Sequence, residues 1–377
     1  MSKRVIVWLI AMLTLPAFGA QTVTVQQLRE RLASSRAESD DELASQLSDM
    51  QLTERLSSSQ LVRLKAGLHG DKSRAALVAL ADMSTFLDLP HDENPPEVPP
   101  DEPRQRQIAA MVVEYAVKLN HQLPNFFATR TTTRFEDWPL GLEIKGMVPG
   151  KYIPPRMVGK ANNIVTYRNG MEEVSGKMPA SRAPTVAERG LYAWGLFGPV
   201  LTTVLVDASR GLLAWSHWEL GEAKKLAVFR FAVPMEKSGY KVRFCCVPVW
   251  GIVLSPLDRI SAYHGEIAVD PDDGTIVRLT LVADLDQGDL ATLLEEAGEG
   301  RPLSRADLMV EYSPVEIGGK SYFCPTRSVA ISRARTLLTS KDGKAPHLGP
   351  EKIFVNDVSF TQYHVFRSES RILTSSQ

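Results

Sequence analysis

The spacing of apolar residues in this 377-residue chain changes near residue 125, and that change constrains the fold more than any other feature. Before this point, apolar residues recur every three or four positions, as in amphipathic helices. After it, they alternate with polar residues, as in strands with one buried face. Helices followed by a run of strands favour an α+β protein. We therefore predict a small N-terminal helical module followed by an antiparallel β-sheet.

Residues 21–89 have the pattern of several short helices. Thr24 precedes an apolar stripe, and Ser39 with Glu42 has the form of a capping box, so both positions predict helix N-termini. Gly70 is expected to end a later helix. Because each short helix hides little apolar surface, the helices are expected to pack on one another as one module.

A proline-rich acidic segment, residues 90–103, follows this module. Its six prolines are Pro90, Pro95, Pro96, Pro99, Pro100 and Pro103. Proline fixes φ and lacks a backbone N–H, so neither a helix nor a central strand is expected here. We predict an extended linker, with a proline-rich ligand motif as the alternative. Residues 104–124 carry one apolar stripe and predict a helix that leads into the sheet.

Residues 125–370 are predicted to form the sheet domain, and residues 371–377 a tail. The alternating segments number roughly nine to eleven and are joined by short turns, which favours an antiparallel meander. Asn169-Gly170 is the strongest hairpin signal. On the first strand, Phe127 and Phe135 mark the expected apolar face.

Helices interrupt this sheet pattern at one or two places. Pro199 stands at a favourable first helical position, and the helix is expected to stop near Gly211. A second short helix is predicted within residues 287–301, and residues 337–350 have the composition of a solvated loop. The predicted architecture is α+β: an antiparallel sheet with one or two helices that plug or cover its concave face.

Residues 1–20 have the three parts of a secretory signal peptide. Two basic residues precede an apolar core over residues 5–16, and Ala17 and Gly19 favour cleavage after Gly19. We therefore expect export to the periplasm or secretion. No later stretch is long and apolar enough for a stable membrane span. The net charge of −1 argues against a nucleic-acid surface.

Three cysteines, Cys245, Cys246 and Cys324, follow the export signal. In an oxidising compartment, Cys245 or Cys246 could pair with Cys324 in a disulfide, while plain buried thiols are the alternative. Cys246 is expected to face the core. Cys245 is expected on the same face as Lys241 and Arg243, where nearby cations would lower its thiol pKa.

Histidine and carboxylate residues offer the remaining chemistry. His264 is expected to share a strand face with Glu266 and Asp270, which could support acid–base work, but no nucleophile motif accompanies them. The carboxylates within residues 270–275 could suggest a calcium-binding loop. However, these residues lack the alternating ligands of such a loop, and their Asp and Gly residues suit a hairpin turn. We predict no catalytic residues, no metal site and no cofactor.

Aromatic and leucine side chains in the sheet domain are the candidate ligand-binding residues. They would line a lipid-sized cavity; the alternative is that they fill a core. The residues are Trp194, Phe197, Leu201, Leu205, Trp215, Trp218, Phe229, Phe231 and Phe244.

Several motifs resemble one exported superfamily. They are the hairpin at 167–170, Trp215-x-x-Trp218-Glu219, residues 263–278, and Tyr322-Phe-Cys-Pro325. Over residues 125–370 they resemble the LolA-like and RseB-like periplasmic half-barrels, which include lipoprotein carriers and envelope-stress sensor domains. The whole chain is also similar to uncharacterised secreted acidobacterial proteins.

That resemblance implies a bent antiparallel sheet that wraps a helix and holds an acyl chain or a lipoprotein segment. For the essential arginine of the carriers, Arg130, Arg230 and Arg243 each fit. The expected function is an exported, non-catalytic binding protein for a hydrophobic ligand or a lipidated polypeptide. The alternative is an envelope interaction or structural module with a filled core and no small ligand.

Overall fold

A computed structural model describes residues 20–35, 37–94, 96–137, 154–174, 189–222, 224–245, 257–285, 303–338 and 347–366. The helices within them are α1 (Val25–Ser34), α2 (Asp40–Ser48), α3 (Ser58–Ala66), α4 (Asp71–Met83), α5 (Glu102–Gln122) and α6 (Pro199–Arg210). The strands are β1 (Gln21–Val23), β2 (Met50–Leu52), β3 (Phe126–Glu136), β4 (Arg156–Arg168), β5 (Met171–Val174), β6 (Gly190–Leu191), β7 (Leu212–Leu220), β8 (Lys225–Val233), β9 (Lys241–Cys245), β10 (Leu257–Ile260), β11 (Ala262–Val269), β12 (Ile276–Asp284), β13 (Leu303–Ile317), β14 (Lys320–Leu338) and β15 (His347–Val365).

One large sheet of ten strands organises the α+β fold. Its strand order is β5-β4-β3-β15-β14-β13-β12-β11-β8-β7, and every neighbouring pair is antiparallel. The sheet is open, with β5 and β7 at its two edges. A smaller sheet, β10-β9-β6, lies against β14 and β15, while β1 and β2 form a short parallel pair. The predicted antiparallel sheet is confirmed.

The large sheet is covered on both faces. On β13, Leu308 and Val310 pack in one core with α5 and α6, whereas Met309 packs in a second core with the N-terminal helices. We call the face toward α5 and α6 the inner face and the face toward α1–α4 the outer face. Burial on both sides explains why β13, β14 and β15 are rich in apolar residues at consecutive positions.

Local capping fixes the N-terminal helices as the sequence predicts. Thr24 and Ser39 each accept a hydrogen bond from the third helical residue, whose side chain bonds back to the cap. The start of α4 is capped from outside, because Gly70 has no side chain to do so. The carboxylate of Asp40 accepts from the N–H groups of Lys72 at 3.1 Å and Ser73 at 2.9 Å.

Two buried arginine clusters attach the helical module to the outer face. Arg327 on β14 donates to Asp82 of α4 at 2.5 Å and to Ser58 of α3 at 2.7 Å. Arg55 lies 2.9 Å from Glu219. Burial opposes ionisation of Glu219, but Arg278 and Arg55 lower its pKa to about 2. The module is therefore held by charged groups as well as by apolar packing.

The proline-rich segment lies along edge strand β7 instead of hanging free. The backbone N–H of Leu220 donates to the carbonyl of Glu93 at 3.0 Å, and Trp218 Nε1 donates to the carbonyl of Val98 at 3.1 Å. Lys225 also pairs with Glu97. These contacts cover hydrogen-bonding groups of an exposed sheet edge, a common protection against strand addition.

The predicted turns are present, and one strand boundary differs. Asn169 and Gly170 have φ values of 51° and 81°, as the tight hairpin requires. Of the solvated loop expected at 337–350, residues 337–338 belong to β14 and residues 347–350 to β15, while residues 339–346 lie outside the described residues.

Other expectations fall on residues that the structure does not describe. The second helix predicted within 287–301, the tail at 371–377 and residues 1–19 of the signal lie outside the described residues. Among the helices that are described, none has the length and apolar character needed to cross a membrane.

Candidate functional site

Helix α6 lies on the inner face, against α5, β7 and β8. Pro199 occupies its first position and Gly211 follows its last residue, as the sequence predicts. One side of the helix is buried, through residues that recur at helical spacing: Leu201, Val204, Leu205 and Ala208. This spacing places the apolar side of α6 on the sheet.

The turn before α6 is held by a carboxylate from edge strand β5. Glu172 Oε2 accepts a hydrogen bond from the backbone N–H of Leu196 at 2.9 Å, and the N–H groups of Gly195 and Phe197 also bond to this carboxylate. Burial raises the pKa of Glu172, while Arg130 and the three N–H groups act in the opposite direction. Consecutive N–H groups around one anion form a nest that fixes the turn.

The last turn of α6 is held by a second carboxylate. Asp207 Oδ2 accepts from the N–H of Gly239 at 2.7 Å and from the hydroxyl of Tyr263 at 2.9 Å. Burial, and then the hydrogen bond to Asp207, raise the pKa of the Tyr263 hydroxyl, which stays protonated and donates. Both ends of α6 are therefore attached to the sheet domain by specific polar contacts.

Most of the predicted lining residues meet in the inner core beneath and beside α6. Six of them are no more than 6% exposed: Phe197, Leu201, Leu205, Phe229, Phe231 and Phe244. Trp215 and Trp218 pack against this core with their rings 4.8 Å apart, whereas Trp194 is 37% exposed. All six belong to one hydrophobic core together with residues of α5 and the large sheet.

Arg130 is the unusual residue of the inner face. It follows Phe126 and Ala128 at a spacing of two on β3, so it points to the same face. It is 9% exposed, and its guanidinium lies 6.0 Å from the centre of the Trp194 ring. Its Nε has no hydrogen-bond partner, and no described residue forms an ion pair with it. Burial lowers the pKa of Arg130, with partial compensation from Glu172.

The sequence placed the buried face of β3 on the wrong residues. Phe127 was expected on the apolar face, but it is only half-buried, while Phe126 is fully buried. The expected pattern holds only at Phe135, which packs on the outer core beyond a register shift between Arg134 and Phe135. Arg130 is an even number of positions after Phe126, so the two side chains share one face of β3. With Phe126 recognised as buried, this spacing would have predicted that Arg130 lies on the inner face.

The structure separates the three arginines that the resemblance left open. Arg230 is exposed on the outer face, opposite Glu266 in the β8–β11 register. Arg243 on β9 is half-exposed and lies 3.1 Å from Asp258. Of the three, Arg130 alone is buried on the inner face.

More buried polar atoms lie on the same face of the neighbouring strands. Ser328 Oγ and Ser332 Oγ on β14 and Asn356 Oδ1 on β15 have no hydrogen-bond partner among the described residues. The amide nitrogen of Asn356 donates to the carbonyl of Leu191 at 3.1 Å, so its side chain is held in place. Buried polar groups are usually paired, so such a concentration marks a candidate site for a polar part of a ligand.

The cysteines do not form the expected bridge to Cys324. Cys324 is a free thiol in the inner core, and burial raises its pKa to about 12. Cys245 is disulfide-bonded and buried on β9, whereas Lys241 and Arg243 are exposed, so the expected reactive thiol beside these cations was wrong. Cys246 lies outside the described residues.

Of the three residues considered for acid–base chemistry, His264 and Glu266 share the outer face, as expected, whereas Asp270 lies in the hairpin turn. His264 Nδ1 lies 2.8 Å from Asp284 on the outer face. The carboxylate of Asp270 accepts a hydrogen bond from the backbone N–H of Asp272 at 2.9 Å within the hairpin turn. This is the turn that the sequence favoured over a calcium loop. Cys324 is on the opposite face from His264. Among the described residues, no group of three histidine, cysteine or carboxylate side chains could hold a metal ion.

Comparison with family models, curated proteins and solved structures finds no match to this chain. The resemblance to the LolA-like and RseB-like half-barrels remains a prediction from the residues. The site is therefore argued from its geometry.

Proposed function

We propose that this chain is an exported, non-catalytic binding protein that holds a hydrophobic ligand or a lipidated polypeptide on the inner face of a bent half-barrel. The ligand carries an acidic group that pairs with Arg130. An apolar face covered by α6 beside α5 supports the hydrophobic part of this proposal. Arg130 supports the acidic part.

The observation that carries the proposal is the buried guanidinium of Arg130, which forms no ion pair with any described residue and which Glu172 compensates only in part. An uncompensated charge inside a protein costs several kcal/mol, so such a group is uncommon unless something pairs with it. A carboxylate or phosphate would accept charge-assisted hydrogen bonds from the guanidinium. Trp194, half-exposed above it, provides a wall that is open to solvent on one side.

Helix α6 is the lid in this proposal. Apolar burial contributes ~25 cal/mol per Å² removed from water, so an acyl chain gains by replacing the contacts of Leu201 and Leu205. The ligand enters when the turn at Leu196 leaves Glu172, because that contact fixes the N-terminal end of α6. Asp207 then serves as the pivot at the other end.

A matched pair of lipids tests the role of Arg130. Palmitic acid and cetyl alcohol share one chain length and differ in the acidic group. The Arg130→Met variant is expected to bind palmitic acid about tenfold to a hundredfold more weakly, the range of a charged hydrogen bond, and cetyl alcohol unchanged. Arg243→Met, which removes a half-exposed arginine, is the control. Equal palmitic acid affinity in wild type and Arg130→Met contradicts the assignment.

Native mass spectrometry tests the wider proposal. Protein purified from an exporting host is expected to carry a lipid-range mass that organic solvent releases. The same spectrum gives the mature N-terminus, expected at Ala20. A bare polypeptide mass that stays unchanged with lipids and acylated peptides favours the second candidate, an envelope interaction module. The tight packing of the six buried lining residues is the observation that favours it.

A further inference from the structure

A cavity of about 420 Å³ lies between the helical module and the outer face of the sheet. We call it the interface cavity and define it by Arg55, Phe86, His217, Arg230, His264 and Glu266. The first two belong to the helical module and the others to the sheet. The volume is in the range of natural small-molecule sites, which often lie between two packed units.

A β-bulge shapes one wall of this cavity. The β7–β8 register shifts between Trp215 and His217, so Ser216 is the extra residue. Its hydroxyl lies 2.9 Å from His217 Nδ1 and donates to Glu266 Oε1 at 3.4 Å. Bulges re-aim side chains and are frequent next to functional sites. Here the bulge places a hydroxyl beside the carboxylate of Glu266.

Arg230 and Glu266 are direct cross-strand neighbours that do not pair. They are opposite each other in the β8–β11 register, where side chains of opposite charge ordinarily attract one another. Yet no ion pair joins them. Within the described chain the carboxylate of Glu266 accepts one long hydrogen bond, from Ser216, and interacts with Arg55 and Arg278 through their charges without an ion-pair contact. Arg230 is exposed, whereas Glu266 is half-buried. One cationic and one anionic group therefore remain available at the cavity wall.

The other strong charges at this wall are already committed. Arg55 forms an ion pair with Glu219 at 2.9 Å, and His264 lies 2.8 Å from Asp284. Phe86 and Leu212 add apolar surface to the lining. The cavity thus combines a free positive group, a free negative group and an apolar wall.

We propose that the interface cavity binds a small zwitterion with an apolar side chain, the chemistry shared by free amino acids and short peptides. The ligand's ammonium pairs with Glu266 and its carboxylate with Arg230. Its side chain packs against Phe86 and Leu212. This site is on the face of the sheet opposite the proposed lipid site and does not depend on it.

Isothermal titration calorimetry of the full mature chain tests this proposal. The ligands are L-leucine and L-leucyl-L-leucine, each at concentrations up to about 10 mM, so that weak but specific binding is detected. At least one is expected to bind. Tighter L-leucine binding identifies free amino acids as the class, and tighter dipeptide binding identifies peptides. N-acetyl-leucine and leucinamide each lack one charge and are expected to bind about tenfold more weakly than leucine, or not at all. Failure of both zwitterions to bind overturns the proposal, as does equal binding of the blocked forms.

Two variants then locate the site. Glu266→Gln and Arg230→Gln are each expected to weaken binding at least about tenfold, with thermal melting used to show that the variants remain folded. Glu236→Gln and Lys241→Gln remove exposed charges elsewhere and serve as matched controls. Binding that survives both cavity substitutions overturns the assignment.

Discussion

The carboxylate of Glu172 accepts the backbone N–H of Leu196 at 2.9 Å, and this contact joins edge strand β5 to the turn that starts α6. The two residues belong to separate parts of the sheet domain and meet on the inner face. The bond decides how firmly α6 covers the apolar core.

Replacing Glu172 by alanine is expected to lower the free energy of unfolding by about 1–3 kcal/mol, because three backbone N–H groups lose a buried acceptor. Urea unfolding measures this loss. The neighbouring Glu173, which is exposed on the other face of β5, gives the control variant Glu173→Ala. If α6 is the lid, Glu172→Ala also speeds uptake of palmitic acid. If Glu172→Ala has the same free energy of unfolding as wild type, the carboxylate of Glu172 does not stabilise the turn before α6.

The contact between Arg327 and Asp82 gives a second prediction. Asp82 is fully buried in α4, and its partner is on β14, so the pair spans the interface between module and sheet. Asp82→Ala is expected to cost about 1–3 kcal/mol, since it removes a buried hydrogen-bond acceptor of Arg327, which keeps its ion pair with Asp357 at 3.1 Å. Chemical denaturation measures the loss, with the exposed Asp41→Ala as control. A loss below about 1 kcal/mol, the level of a surface pair, argues against this attachment.

The state of the cysteines gives a third prediction. Cys324 is expected to be the free thiol of the folded chain and to react with an alkylating reagent only in denaturant, because it is buried with a raised pKa. Peptide mapping after alkylation under non-reducing conditions identifies the modified cysteine. Recovery of Cys324 in a disulfide-linked peptide would contradict this prediction and support the disulfide to Cys324 that the sequence left open.

The sequence predicted features that depend on local chemistry. The capping boxes at Thr24 and Ser39, the hairpin at Asn169-Gly170 and the proline that starts α6 each act within a few residues. Such signals need no knowledge of the distant chain. The α+β class was predicted from these local signals and from the change in the spacing of apolar residues near residue 125.

Features that depend on distant partners were not predictable. The face of β3 was misassigned because Phe126 and Phe127 are both aromatic, and only the packing of α6 decides which is buried. The pairs Arg327–Asp82 and Arg55–Glu219 each join residues more than one hundred positions apart. Arg130 was one of three open candidates because its burial, and its lack of an ion pair with any described residue, depend on distant strands that spacing does not show.

The last prediction concerns pH and Asp137, at the end of β3. Burial raises the pKa of Asp137 to about 6, although the N–H of Ile353 donates to its Oδ1 at 2.9 Å and opposes the rise. A carboxyl with a raised folded pKa stabilises the fold most below its usual value of 3.8, and this contribution is lost as pH rises through about 6. The difference between a pKa of about 6 in the folded chain and 3.8 in the unfolded chain corresponds to about 3 kcal/mol of unfolding free energy.

Asp137→Asn keeps an acceptor for Ile353 and cannot ionise, so it is expected to remove this part of the pH dependence. Unfolding free energies measured from pH 4 to pH 7.5 should then fall less steeply in the variant than in wild type. At neutral pH the variant should be the more stable protein. The exposed Asp258→Asn substitution, far from this strand end, is expected to leave the wild-type slope intact. Parallel curves for wild type and Asp137→Asn would show that Asp137 ionises normally in the folded chain.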